Sequence, residues 1–422
     1  MLSISWVNMF PWFIFKKGFR KKQLKVFISV GAGNNQLPLI NAARELGYHV
    51  IGIDQDTSSP GLLASNIKIQ ESIHDYEEIY QKIRELFIDG KIHAVLTRSY
   101  GEAVKTTSFL CEQLGINYFP FGRVEDFLNK KRMKNILKQN GIRTPSFKTY
   151  TAKTKTIKNF PCIVKPFSGH AKSNVKLINN AAELTAYIKS NQDEDSFLIE
   201  EYIAGSEIIA IGLTVNGKFR LYSLSDKETT PPPYFADVRH VSPSAYSDRW
   251  DEIEAIGQKL SEAFELHTTP LLYEIRINGK GEMFVIEAAP EFGGEYISDI
   301  MIPETTGSNI FKNAIKTMDD KNTELSPVKR NHKNVIIRYI TGENGFLNSF
   351  DQINIKNFRD NLIYLNMFKK PGSKTAIPTT NHDRIGVIIT KGKTREAAET
   401  ASDEILKNLN INITKNRKSD IV

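Results

Sequence analysis

At 422 residues the chain has room for about three domains of ordinary size. Its 40% apolar and 25% charged residues exclude both a disordered chain and a bundle of membrane spans, and describe a soluble globular protein. The net charge of +8 does not mark a nucleic-acid binder, because the excess sits at the two ends: Lys16, Lys17, Arg20, Lys21, Lys22 and Lys25 with no acid among them, then Lys415, Arg417 and Lys418 against Asp420. Counterion release needs a basic face on a folded surface.

The opening MLSISWVNMFPWFIF followed by KKGFRKK reverses the basic-then-apolar order of a secretory signal. As a helix those residues reach about 22 Å, short of a hydrocarbon core of ~30 Å, and they contain Asn8 and Pro11. Two readings of residues 1–25 stand: an extension ahead of the first domain, or an interfacial anchor touching anionic lipid. Two cysteines, Cys111 and Cys162, are too few for a disulfide framework and fit a reducing, cytoplasmic setting.

From Lys25 the run KVFISVGAGNNQLPLINAARELGYHVIGIDQD predicts strand, Gly-rich turn, amphipathic helix and a second strand ending at Asp54. GAGNNQ with Asp54 about twenty residues on imitates a dinucleotide fingerprint, but Gln36 stands where the third glycine belongs. A tight first turn in a nonredox domain is the better reading. A helix over 75–87, the strand HAVLT, another helix through Cys111 and GINYF complete a parallel α/β domain over 26–122.

The segment from Val124 to Gln139 is predicted helical, stopped by Gly141 and Pro145. Strands then dominate: FPCIVKP, NVKLI, FLIEEYI, SEIIAIGLTVNGKFRLYSLS and LLYEIRINGKGEMFVIEA, with hairpin turns at Asn216-Gly217 and Gly279 to Gly281. VIIRYI, LIYLNMF and RIGVIIT with a closing helix are predicted to form a third, antiparallel unit over 329–422.

The chemistry-bearing residues follow in order. Lys130 lies in LNKKRMK, and Lys165 ends a strand before the turn FSGHAKSN, whose Lys172 could close over phosphates. Glu200, Glu201 and Glu207 lie in and just after EEYI, and Glu274 and Glu287 fall on neighbouring strands of one hairpin, where they can converge on a hard cation. Strand alternation puts Arg276 on the face of Glu274, and Ala289 and Glu291 on the face of Glu287.

From about Val26 to Asp320 the set NK, MK, GI.TP, P.IVKP, EEYI.G.E and E…E..PE.GG resembles the ATP-grasp superfamily, particularly its biotin carboxylase and carbamoyl-phosphate-synthase-like branch of carboxylate-amine ligases. The resemblance implies a mixed α/β and α+β protein: a parallel pre-ATP-grasp domain, an ATP-grasp domain over 123–328 with a lid at about 145–208, and a C-terminal antiparallel α+β subdomain. It implies that Lys130 and Lys165 hold ATP phosphates, that Glu200, Glu201, Tyr202 and Ile203 frame the adenine, and that Glu207 bonds the ribose. Glu274 and Glu287 are then ligands of Mg2+ or Mn2+, and the substrates are a small carboxylate and an amine, in a chain that pairs as a homodimer.

Two positions depart from the family. Ala289 and Glu291 stand where Asn and Arg are usual, so Glu291 is expected as a replacement metal ligand, with Arg239, His240 or Arg276 supplying the lost cation. Glu295 falls where biotin carboxylases place a base, and a solvated acid is the equal alternative. The leading expectation is an ATP-dependent ligase acting through an acyl phosphate; the alternatives are a bicarbonate-phosphorylating enzyme and a nucleotide-binding module without catalysis.

Overall fold

The computed structural model describes residues 24–86, 90–151, 157, 159–167, 174–191, 196–320, 322–325, 327–329 and 333–415. Residues 1–23 and Lys172 lie outside these, so the readings placed on them are not addressed. Among the described residues no helix is long and apolar enough to cross a membrane.

The chain opens with β1 (Leu24–Val30), α1 (Leu37–Glu45), β2 (His49–Asp54), α2 (Pro60–Ala64), β3 (Ile67–Gln70), α3 (Tyr76–Glu85), β4 (Gly90–Leu96) and α4 (Glu102–Gln113). These four strands pair in parallel in the order β3-β2-β1-β4, with Val26, Phe27, Ile28 and Val30 wholly buried. Continuous apolar strands of this kind need helices on both faces. The Asp54 of the apparent fingerprint accepts from Ala32 N at 3.0 Å and so fastens the first turn, while Gln36 reaches across to Arg98 O and Ser99 Oγ.

The expected helix from Val124 to Gln139 breaks into α5 (Glu125–Leu128) and α6 (Lys130–Gln139). Asn129 leaves the helical region and caps α6 by accepting from Arg132 N, a role its short polar side chain favours. The lid follows as β5 (Phe147–Thr151), β6 (Cys162–Pro166), β7 (Lys176–Ile178), α7 (Ala181–Ser190) and β8 (Ser196–Glu201), in an antiparallel sheet ordered β5-β8-β6-β7. It has its own small core of Cys162, Val164, Ile178, Leu184, Tyr187, Phe197 and Ile199.

The core comprises β9 (Ser206–Val215), β10 (Lys218–Thr229), β11 (Asp237–Ser242), α8 (Trp250–Ala263), β12 (Thr269–Ile277), β13 (Met283–Ala289), α9 (Ile302–Thr306) and α10 (Ile310–Asp319). Asn216 and Gly217, both at positive φ, make the two-residue turn between β9 and β10. The remaining elements are β14 (Asn334–Ile340), β15 (Gly345–Ser349), β16 (Leu362–Met367), β17 (Lys374–Thr375), β18 (Gly386–Gly392), α11 (Arg395–Asn408) and β19 (Asn412–Thr414).

The C-terminal strands differ from expectation. β14 pairs with β11, so one eight-stranded sheet runs β13-β12-β9-β10-β11-β14-β18-β16, and β15, β17 and β19 make a small sheet of their own. An uncovered β11 would present a row of unpaired backbone groups, and β14 covers it. Apolar side chains of the first domain and the central sheet merge into one core, with Phe127 and Phe264 stacked at 4.3 Å between centroids.

Candidate active site

The lid, the central sheet, the first domain and the C-terminal strands enclose a cavity of about 1480 Å³. Pairing puts Glu274 directly opposite Glu287, and Leu272 opposite Ala289. Leu272, Glu274, Arg276, Glu287, Ala289 and Glu291 all line the cavity, as alternation along the two strands requires.

At the lid end, Lys165 on β6 and Lys130 at the start of α6 are 4% and 5% exposed. Lys165 Nζ is 2.9 Å from Glu200 Oε2, and Lys130 Nζ is 3.5 Å from Glu287 Oε1. Glu200 is also met by Lys134, one helical turn beyond Lys130 and wholly buried, at 3.3 Å. Burial would raise the Glu200 carboxyl, but Lys134 and Lys165 outweigh it and hold it below the usual range. Burial pulls Lys134 down to about 8.

Glu201 is exposed at the cavity rim and accepts from Ser146 N and Oγ. Tyr202 and Ile203 line the cavity beside the apolar Ile163, Ile209, Leu272 and Ile286. The segment from lid to core is fixed by Arg276 Nη1, which donates to Ile203 O and Gly205 O at 3.3 Å each. Gly205 has φ +135, and a Cβ there would stand 2.0 Å from Ile277 O, so the backbones close in a way only glycine permits.

Four cavity-side groups form one row across the sheet, with Arg276 opposite Glu207, Glu207 opposite Lys227, and Lys227 opposite His240. Arg276 Nε and Lys227 Nζ lie 3.0 and 3.1 Å from Glu207. Lys227 is also 2.7 Å from Glu274 and 3.2 Å from Asp237. Burial opposes its charge, but the three carboxylates hold it protonated.

At the far end Glu295 is held by partners rather than left to solvent. It accepts from Arg384 Nη1 and Nη2 at 2.8 and 3.2 Å and from Asn381 Nδ2 at 3.1 Å, and lies 3.0 Å from His240 Nε2. Burial would raise its carboxyl, but Arg384 and His240 drive it well below the usual range. The Arg384 guanidinium lies 3.6 Å over the Tyr339 ring and donates to Asp237 O. Arg98, from the first domain, pairs with Asp299 at 2.6 Å.

Of the cations expected to replace the family arginine, Arg239 is absent from the cavity wall: it pairs outward with Glu228 and Glu399. Arg276 serves the lid end, and His240, wholly buried, reaches Glu295. Arg98 and Arg384 are the arginines that line the far end of the cavity. Among the described residues the trio of metal-ligating groups within 4.8 Å of one another is Asp237, His240 and Glu295. Arg384 and Asn381 already bond this trio, and Glu291 forms no such trio with Glu274 and Glu287. The Glu291 carboxyl is pushed up to about 7 by burial and by the negative charge of Glu287 and Glu274.

Comparison with known proteins accords with this geometry. Residues 158–299 match the family model of the ATP-grasp domain, and residues 351–414 match that of the L-amino acid ligase C-terminal domain 2. The chain thus carries an ATP-grasp domain over residues 158–299. Its fold is similar to that of an L-amino acid ligase from Bacillus licheniformis, with a TM-score of 0.77 and 23% identity, covering 93% of this chain and 100% of that one. A phosphoribosylglycinamide synthetase from Anaerococcus prevotii superposes with a TM-score of 0.70 at 20% identity, over 93% and 100% of the two chains. In sequence, the formate-dependent phosphoribosylglycinamide formyltransferase of Bacteroides fragilis is 24% identical over 208 residues, 45% of this chain and 51% of that enzyme.

Three charged residues in or behind the cavity wall escaped the sequence reading: Lys134, Lys227 and Arg384. Lys134 had a signal, since it lies four positions after Lys130 on one helix face. Lys227 sits in SLSDKETT, which looks like the polar end of a strand. Arg384 reaches the cavity through long-range topology that local sequence does not display.

Proposed function

We propose that this ATP-grasp chain is an ATP-dependent ligase that phosphorylates the carboxylate of one amino acid and passes the acyl group to the amine of another. The carrying observation is that Glu274 and Glu287 oppose each other in a cavity that also receives Lys130 and Lys165. A carboxylate resists attack because it would have to expel an oxide, and phosphorylation gives it a leaving group. That step sets an anion against the γ-phosphate, with repulsion of ~1 kcal/mol per charge pair at 4 Å in water and ~4 at intermediate dielectric.

Lys130 and Lys165 screen that repulsion, as preorganised charge does in a water-poor site. Glu274 and Glu287 would hold Mg2+ or Mn2+ through their carboxylate oxygens, and the ion would supply further positive charge beside the phosphates. Tyr202, Ile203 and the isoleucines beside them take the adenine, and Glu207 takes the ribose. The substrates occupy the end walled by Arg98, Glu291, Glu295 and Arg384. Amino acids are favoured as substrates by the match of residues 351–414 and by the likeness to the B. licheniformis ligase. Both cysteines are buried thiols, which suits a cytoplasmic enzyme.

The test is ADP release with Mg2+ across amino acids, sugar acids and bicarbonate, with hydroxylamine to trap the acyl phosphate. Release that requires an amino acid, with hydroxamate formed in step, is the expected result. Release indifferent to every acid and amine overturns the proposal, and dependence on bicarbonate alone favours the bicarbonate-phosphorylating alternative.

A further inference from the structure

Lys227 is 5% exposed and lines a smaller neighbouring cavity rather than the large one. The three carboxylates around its ammonium do face the large cavity, and each belongs to a different part of it. Glu207 stands with Arg276 near the lid, Glu274 stands opposite Glu287, and Asp237 bonds Asn381 and meets Arg384 at the far end. Lys227 meets all three carboxylates, with Arg276 also on Glu207 and Arg384 also on Asp237, in a place where water screens little. A cation is obligatory there, and the chain supplies its own.

The spacing is set for an ammonium. The oxygens stand 2.7, 3.1 and 3.2 Å from Nζ, whereas magnesium demands oxygens at about 2.0–2.1 Å and does best with one or two carboxylates plus phosphates. A free divalent ion would have to take Glu274 from a hydrogen-bonded ammonium and then draw in ligands spaced too widely for it. An ion arriving with phosphate oxygens needs little beyond Glu274 and Glu287.

We propose that Lys227 is a resident counter-ion that keeps Glu274 closed to free divalent cations, so that metal enters this site with the nucleotide and not ahead of it. Lys227 is on this reading a positioning residue, acting through Glu274 on the metal and through Glu207 and Asp237 on the two ends of the cavity. The inference rests on the proposed function only for the identity of the nucleotide site.

The test is Mn2+ binding to the full chain, read as loss of the free-ion paramagnetic signal, with and without ADP. Wild type should bind Mn2+ about tenfold or more tightly with ADP than without, a usual size for coupling between sites. Lys227→Met should bind Mn2+ alone about tenfold more tightly than wild type and lose most of the ADP dependence, while Lys227→Arg stays close to wild type.

A wild type that binds Mn2+ equally with and without ADP overturns the proposal, as does a folded Lys227→Met with unchanged Mn2+ affinity. If the methionine variant does not fold, added Mn2+ should restore its melting transition by replacing the lost cation, and failure to do so also overturns the proposal. A wild type that binds no ADP at all refutes the nucleotide reading instead, and the Mn2+ response of the methionine variant still decides this one.

Discussion

The two ends of the cavity are built differently. At the lid end the charged groups come from α6, the lid strands and one hairpin, and buried Lys130 meets Glu287 of the opposed pair while buried Lys165 meets Glu200. At the far end they come from three distant segments and are arranged around one another, with Arg98 on Asp299 and Arg384 on Glu295. On the proposed function the first arrangement neutralises an incoming polyanion and the second holds a shape. Changes at the lid end should therefore act on chemistry, and changes at the far end on stability and substrate choice.

The largest expected effect tests the lid end. Glu287→Gln removes one of the opposed carboxylates, and ADP release should fall by about a thousandfold with the fold intact, the scale of losing a preorganised charge. Circular dichroism melts beside steady-state assays check this.

Next comes the far end, where Arg384→Ala strips Glu295 of two hydrogen bonds and bares the Tyr339 ring. Denaturant unfolding should show a loss of about 3–5 kcal/mol, typical of breaking a buried pair, while calorimetry finds ADP binding unchanged. A matching loss of ADP affinity would break the proposed division between the ends.

Glu291 lies between the two ends and gives a pH signature. With its carboxyl raised to about 7, the folded metal-free chain keeps a proton that the unfolded chain releases near 4.5. Stability from this group is therefore present at low pH and falls as pH rises from about 4.5 to 7, by about 2–3 kcal/mol. Glu291→Gln should flatten the melting temperature across that window in chelator, and an unchanged slope would assign the pH dependence to other groups.

The smallest effect belongs to Arg239→Ala, which touches an outward pair. Stability should change by about 0–1 kcal/mol and kcat/KM should stay as in wild type.

Arg239 also shows where sequence stops being legible. Alternation alone places it on the same face as Asp237, but the pairing of β10 with β11 shifts register between Glu228 and Thr229, so Asp237 and His240 share the cavity side and Arg239 turns out. A bulge leaves no mark that a single sequence displays. Lys130, Lys165, Glu274 and Glu287 were readable because each sits in a short motif whose local element fixes its direction. The parallel first domain and both hairpins were readable for the same reason. The joining of β14 to β11 was not, because an antiparallel strand carries no record of which edge it will cover. The networks around Lys227 and Glu295 depend on partners ten or more residues away in sequence, and so become visible only in three dimensions.

The seamless sheet from β13 to β16 has a consequence for how such a protein can diversify. The register that sets His240 opposite Ile337 also fixes where Tyr339 meets Arg384. Grafting the last third of a related chain onto this one would have to reproduce that register residue for residue, since a slip by one would turn every side chain of β14 over. New substrate preferences are therefore more accessible through point changes in the loops at 97–102, 291–299 and 381–384 than through exchange of whole modules.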